Sequence, residues 1–172
     1  MISALVLVAD PGDADALDRL ADSLGALVAG VAAGLVGDAV IVAAAMDPGV
    51  DTIADATGAS LVVMPPGANP WVAGAALARR DWVLCLEAGD VPGDGWIRTL
   101  DRFVGTAGAD ALGRLSRPHA SLATRLAVWA EAMVGAGLAR PGDVVRRDHL
   151  TEAGTFAPRL RPRRLIARID RA

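Results

Sequence analysis

Ala78-Arg79-Arg80-Asp81-Trp82-Val83-Leu84-Cys85-Leu86-Glu87-Ala88-Gly89-Asp90-Val91-Pro92 is the stretch whose reading decides the fold. Trp82 to Leu86 is a short apolar run that ends in an acidic cluster. Pro92-Gly93-Asp94-Gly95-Trp96 then turns the chain into a helical pattern from Ile97 to Val104. In open α/β sheets, ligands sit outside the carboxyl ends of the strands. Glu87 and Asp90 therefore stand where acidic side chains can hold a metal.

Working outward, the same grammar repeats. Ile2 to Ala9 is a continuous Val/Leu-rich run, as expected of a strand covered on both faces. Asp10-Pro11-Gly12-Asp13 is a turn, and Asp13 is an N-cap candidate for a helix carrying Leu17, Leu20 and Leu24 toward Val36. Further strands are expected at residues 39–44 and 60–64, with helices over Thr52 to Thr57 and Trp71 to Arg79. Strand and helix alternate at short spacing, which predicts a three-layer α/β domain with a mainly parallel central sheet. The Gly-rich zone Gly105 to Pro118 reads as irregular. An amphipathic helix is expected over Leu122 to Leu138, a helix over Arg147 to Ala153, and strand-like pieces near Val144-Val145 and Leu165 to Ile169. The 172 residues fit one domain, with a nucleotide-binding-like half over 1–104 and a shorter half over 105–172.

Hydrophobic residues make up 53% of the chain and charged residues 22%, so the class is globular. All 17 basic residues are arginine and there is no tyrosine, a composition expected of GC-rich bacterial coding. The net charge of -3 and the scarcity of aromatics argue against a nucleic-acid partner. A single cysteine, Cys85, excludes an internal disulfide and reads as a buried thiol. The start has no signal-peptide pattern and the run Leu24 to Val36 is too short to span a bilayer, so the expected compartment is the cytoplasm. Neither histidine has zinc spacing, and His149 reads as a surface residue. No nucleophile elbow, P-loop or dinucleotide fingerprint is present.

The opening stretch resembles the metal-binding strand of family 2 glycosyltransferases, ARGDWLLFLDADxxPxPGW. Ser3 to Val8 resembles the family's first strand. Leu35 to Val42 with Asp47-Pro48-Gly49-Val50-Asp51-Thr52 resembles its VxEVIVVDGGSTDGT. Gly67 to Ala76 resembles the segment before the metal strand. Arg140-Pro141-Gly142-Asp143-Val144-Val145-Arg146-Arg147-Asp148-His149-Leu150 and Thr151 to Phe156 resemble stretches of a small bacterial subgroup. The resemblance implies a GT-A fold, a nucleotide-sugar donor, and Mg or Mn held only together with nucleotide. It places Asp10 and Asp47 toward the nucleotide, Glu87 and Asp90 toward the metal, and Asp143 toward the acceptor.

The sequence departs from the family pattern at three places. Glu87-Ala88-Gly89 replaces the D-x-D triplet, so the second carboxylate, Asp90, comes one residue late. Ala44 stands where the family has the aspartate that ends the second strand. Between Phe156 and Arg163 there is no acidic residue to serve as catalytic base. The expectation is a glycosyltransferase-like protein that is catalytically degenerate. The alternative is a non-enzymatic binding or assembly subunit on the same fold.

Each candidate also has a plainer reading. Turn and cap roles suit Asp10, Asp13 and Asp47, a turn role suits Asp143, and a solvated loop suits Glu87 and Asp90. Leu126, Trp129, Met133 and Leu138 recur on one helical face, which ordinarily means core. If the chain is as short as its motifs imply, that face is instead exposed beside the arginines of residues 159–171. It would then meet a protein partner, or a membrane surface to which the chain is peripheral.

Overall fold

The computed structural model describes residues 1–151, 155, 156 and 159–172. The strands are β1 (Ile2–Val8), β2 (Val36–Ala43), β3 (Ser60–Val63), β4 (Trp82–Glu87), β5 (Asp90–Pro92), β6 (Leu112–Ser116), β7 (Asp143–Arg146) and β8 (Pro162–Arg171). The helices are α1 (Ala16–Ala32), α2 (Pro48–Thr57), α3 (Pro70–Leu77), α4 (Trp96–Thr106), α5 (Leu122–Val134) and α6 (Asp148–Thr151). One eight-stranded sheet runs in the order β3-β2-β1-β4-β7-β6-β8-β5.

The first four strands are parallel, in the doubly wound order that puts a crevice between β1 and β4. β7 pairs antiparallel with both β4 and β6, so β6 again runs in the direction of β4. β8 pairs parallel with β6, and only the three-residue β5 on the far edge reverses once more. The carboxyl ends of β1, β2, β3, β4, β6 and β8 therefore share one side of the sheet. This direction rule fixes where the site lies.

Two cores flank the sheet, as alternation along the strands requires. On one face Ile2, Ala4, Val6 and Val8 of β1 meet Leu20, Leu24 and Leu27 of α1 and Trp96, Leu100 and Phe103 of α4. On the other face Leu5, Val40, Val42, Val83 and Cys85 meet Trp71 and Ala75 of α3 and Leu150 of α6. The three-layer α/β expectation holds. Burial pushes the Cys85 thiol well above its ordinary range, so it behaves as an inert apolar group.

Several local expectations need correction. Asp13 does not cap α1. The helix starts at Ala16, while the Asp13 carboxylate accepts the Asp15 N–H and pairs with Arg19, which holds it below its usual range. α1 ends at Ala32 rather than near Val36, because Gly34 takes a φ of 72° and turns the chain into β2. The supposedly irregular Gly105 to Pro118 contains β6 in the middle of the sheet. Its Gly113 lies against Phe103 and Leu165 so closely that no side chain fits. The strand expected over Leu165 to Ile169 is present and longer, Pro162–Arg171. Leu165, Ala167 and Ile169 point inward while Arg164, Ile166 and Arg168 point to solvent. His149 is half-buried rather than on the surface, with Nε2 3.0 Å from the Ala109 carbonyl and its ring edge-on to Phe156. The expected helix over 147–153 runs partly outside the described residues.

Candidate functional site

Glu87 ends β4, and the turn to β5 requires Gly89 at a φ of 93°. α1 grips this turn: the Gly89 N–H donates to Ser23 Oγ at 2.8 Å and to the Arg19 carbonyl at 2.9 Å. Asp90 is thereby folded back beneath Glu87 and is fully buried. Its Oδ2 accepts the Glu87 N–H at 2.8 Å. The two candidate metal residues are thus brought together, and a third residue closes on both.

That residue is Arg117, the first after β6. Its Nη2 lies 2.6 Å from Asp90 Oδ1 and 3.0 Å from Glu87 Oε2, and its Nε lies 3.2 Å from the same Asp90 oxygen. Arg171, at the end of β8, brings Nη1 to 3.7 Å from Glu87 Oε2 and 3.9 Å from Asp90 Oδ1. His119 Nε2 stands 3.5 Å from Asp90 Oδ1. The sheet explains the gathering, since β4, β6 and β8 all end on this side. A cation-lined carboxylate pair of this kind satisfies its charge internally.

The site does not fit a divalent ion by itself. Two carboxylates are present and both are already engaged with guanidinium groups. Among the described residues no group of three His, Cys, Asp or Glu side chains is placed to hold a metal. Sequence reading found the carboxylates and missed Arg117, His119 and the role of Arg171. The available signal was an arginine immediately following the buried run Leu112 to Leu115, and it is weak without knowing that β6 runs beside β7.

The remaining candidates are held by other partners. Asp10 is exposed after β1 and its Oδ1 accepts the Gly12 N–H at 3.1 Å, a turn role. Asp47 caps α2, accepting the Gly49 and Val50 N–H groups at 2.8 and 3.0 Å. Asp143 is wholly inside the fold. Arg114 holds it through Nε–Oδ1 at 2.5 Å and Nη2–Oδ2 at 2.8 Å, and the Arg140 N–H adds a bond at 2.9 Å. Burial pushes the Asp143 carboxyl up, against the pull of Arg114. In this arrangement no face of Asp143 is open to an acceptor.

The same arginine carries a second load. Arg114 Nη1 reaches Glu131 Oε2 at 2.6 Å, and Arg140 Nε reaches Glu131 Oε1 at 2.9 Å. Burial alone would raise the Glu131 carboxyl, but the bonds from Arg140 and Arg114 hold it below its usual range. Burial opposes the Arg114 charge, yet Asp143 and Glu131 outweigh it and raise that guanidinium. Glu131 fastens α5, which buries no residue of its own. The core reading of the α5 stripe is therefore corrected: Leu126, Trp129 and Met133 are about 70% exposed and Leu138 about half.

No protein-family model and no curated protein matches the chain. Solved structures do. Glucosyl-3-phosphoglycerate synthase from Mycobacterium tuberculosis, in complex with Mn2+ and UDP-glucose, superposes with a TM-score of 0.59 at 16% identity, over 87% of this chain and 57% of that one. The fold is the GT-A fold of nucleotide-sugar transferases. Mannosyl-3-phosphoglycerate synthase from Rubrobacter xylanophilus gives 0.58 at 16% identity, over 86% and 53% of the two chains. A nucleotidyl transferase from Methanothermobacter thermautotroptrophicus gives 0.53 at 18%, over 92% and 79%. The chain spans a little over half the length of the two synthases. Among the described residues, no helix is long and apolar enough to cross a membrane.

Proposed function

We propose that this chain is a glycosyltransferase-like protein that binds a sugar nucleotide or nucleoside diphosphate at the strand ends without turning it over. One observation carries the reading: Arg117 bridges Asp90 and Glu87, in the place where a GT-A strand would offer carboxylates to a cation. Diphosphate needs positive charge beside it, and a guanidinium fork meets phosphate oxygens with good geometry. Arg117 and Arg171 can supply that charge as fixed cations. Mg or Mn, where taken up, would be held only together with nucleotide, with Glu87 and Asp90 as the residues that would hold it and charge neutralisation at the diphosphate as what it would supply. Inverting transfer also needs a base within ~3 Å of the acceptor proton. The stretch between Phe156 and Arg163, where relatives by resemblance carry it, has no acidic residue.

Thermal unfolding with UDP or UDP-glucose, with and without Mn2+, tests the reading. Nucleotide should stabilise the chain as RT ln(1 + [L]/Kd), Mn2+ should add little, and sugar release should stay at background. Mn2+-dependent turnover lost in Asp90→Ala would sink it. The second reading is an assembly or binding subunit that no longer takes nucleotide. The outward apolar face of α5 favours it, and absence of any nucleotide stabilisation would select it.

A further inference from the structure

α5 is mounted the wrong way round for a soluble amphipathic helix. Leu122, Leu126, Trp129 and Met133 are spaced 4, 3 and 4 residues apart, so they fall within about 60° of one another on the helix circumference. Their exposures are 74, 68, 68 and 70%. Glu131, on the opposite side, is the only acidic residue from Leu122 to Leu138, and it points inward to Arg114 and Arg140. The helix is thus held by ion pairs and offers its apolar stripe to the outside.

The surroundings of this stripe carry positive charge. Arg125 is exposed on the helix itself, and Arg159 and Arg161 are exposed beside its carboxyl end, where Leu160 bridges to Ala136. No carboxylate on α5 faces outward to offset them. We infer that the outer face of α5 is a docking surface for an anionic lipid bilayer, into which Leu122, Leu126, Trp129 and Met133 insert while Arg125, Arg159 and Arg161 meet the headgroups. Charge selects this occupant over a second copy of the chain. A symmetric pairing through α5 would bring like arginines together around the contact, whereas anionic headgroups neutralise them. Four large side chains of this exposure amount to several hundred Å² of apolar surface, enough to mark an interaction site. Shallow insertion of an apolar face with basic flanks is the geometry of an interfacial helix.

Trp129 supplies its own reporter. Trp71, Trp82 and Trp96 are 4, 6 and 5% exposed, so a change in tryptophan emission on binding comes from Trp129. The purified chain is mixed with phosphatidylcholine vesicles and with vesicles containing roughly one-third phosphatidylglycerol, at about 0.05 M and about 0.5 M salt. The expected result is co-sedimentation and a blue-shifted emission with the anionic vesicles only, weakened at least ~10-fold at the higher salt. Leu126→Ser with Met133→Ser, both at exposed positions, should abolish the shift while leaving the unfolding temperature unchanged. Three outcomes overturn the inference: no binding to anionic vesicles at low salt, equal binding to both vesicle types, or a blue shift that follows protein concentration without lipid. The last would assign the face to a second copy.

Discussion

Arg117 Nη2 approaches Asp90 Oδ1 to 2.6 Å across 27 residues of chain, and Asp90 has no solvent exposure to fall back on. Removing the guanidinium leaves the buried Asp90 carboxylate with the Glu87 N–H and only the more distant His119 and Arg171 beside it. Arg117→Ala should therefore cost about 3 kcal/mol of stability, as loss of one partner of a buried pair does. It should also uncover the carboxylates for a cation. Thermal unfolding with and without Mn2+ ought to show no metal response in the parent chain and a clear upward shift in Arg117→Ala. A parent chain that already responds to Mn2+ alone would mean that the arginine does not guard the site.

Asp47 separates two readings that the sequence left open. Its Oδ1 takes two N–H groups at the start of α2, so it acts as a helix cap in this structure. Asp47→Ala should lose about 1 kcal/mol and Asp47→Asn much less. Affinity for UDP, measured by calorimetry, should be unchanged in both. A selective loss of UDP binding with unaltered stability would return Asp47 to the nucleotide.

Gly74 lets α3 approach the sheet. A Cβ there would fall 2.8 Å from Val42 and 2.9 Å from Leu5, both inside the second core. Gly74→Val adds three carbons to a space that cannot hold one and should cost about 2–3 kcal/mol in denaturant unfolding. Gly25→Ala on α1 meets nothing within 4 Å and should be neutral or slightly stabilising, which makes it the control.

The first half of the fold was legible because its strands are covered on both faces. Ala4 to Val8 and Trp82 to Leu86 are unbroken apolar runs, and such runs have few other uses in a globular chain. β6 was hidden because Leu112-Gly113-Arg114-Leu115-Ser116 shows neither alternation nor an apolar run. Its Gly and Arg are there for Phe103 and Asp143, partners that only the tertiary structure reveals. β5 is too short to carry a pattern, whereas β8 was legible over Leu165 to Ile169 and hidden only at its arginine-rich ends. The site followed the same division. Glu87 and Asp90 are read from local spacing, whereas Arg117 and Arg171 arrive through strand direction. For α5, periodicity identified the apolar face but could not say that Glu131 turns the opposite face toward the sheet.

Acid should release α5. The Glu131 carboxyl is held below the ordinary glutamate value of 4.5 in the folded chain. A lowered carboxylate contributes stability that is present above 4.5 and lost as pH falls through the lowered value. Asp143 has the opposite sign: its raised carboxyl makes the folded chain the tighter proton binder, so its ionisation costs stability as pH rises past 3.8. Of the two carboxylates, Glu131 alone lies on α5, and the helix has no buried residue to replace the lost bonds. Hydrogen exchange at the α5 amides, corrected for the intrinsic pH dependence, should therefore accelerate below pH 4.5 while the β1 and β4 amides stay protected. Glu131→Gln should show fast α5 exchange already at neutral pH and no further step in acid. Equal α5 protection in the parent and the variant at neutral pH would show that the helix is held by something other than its ion pairs with Arg114 and Arg140.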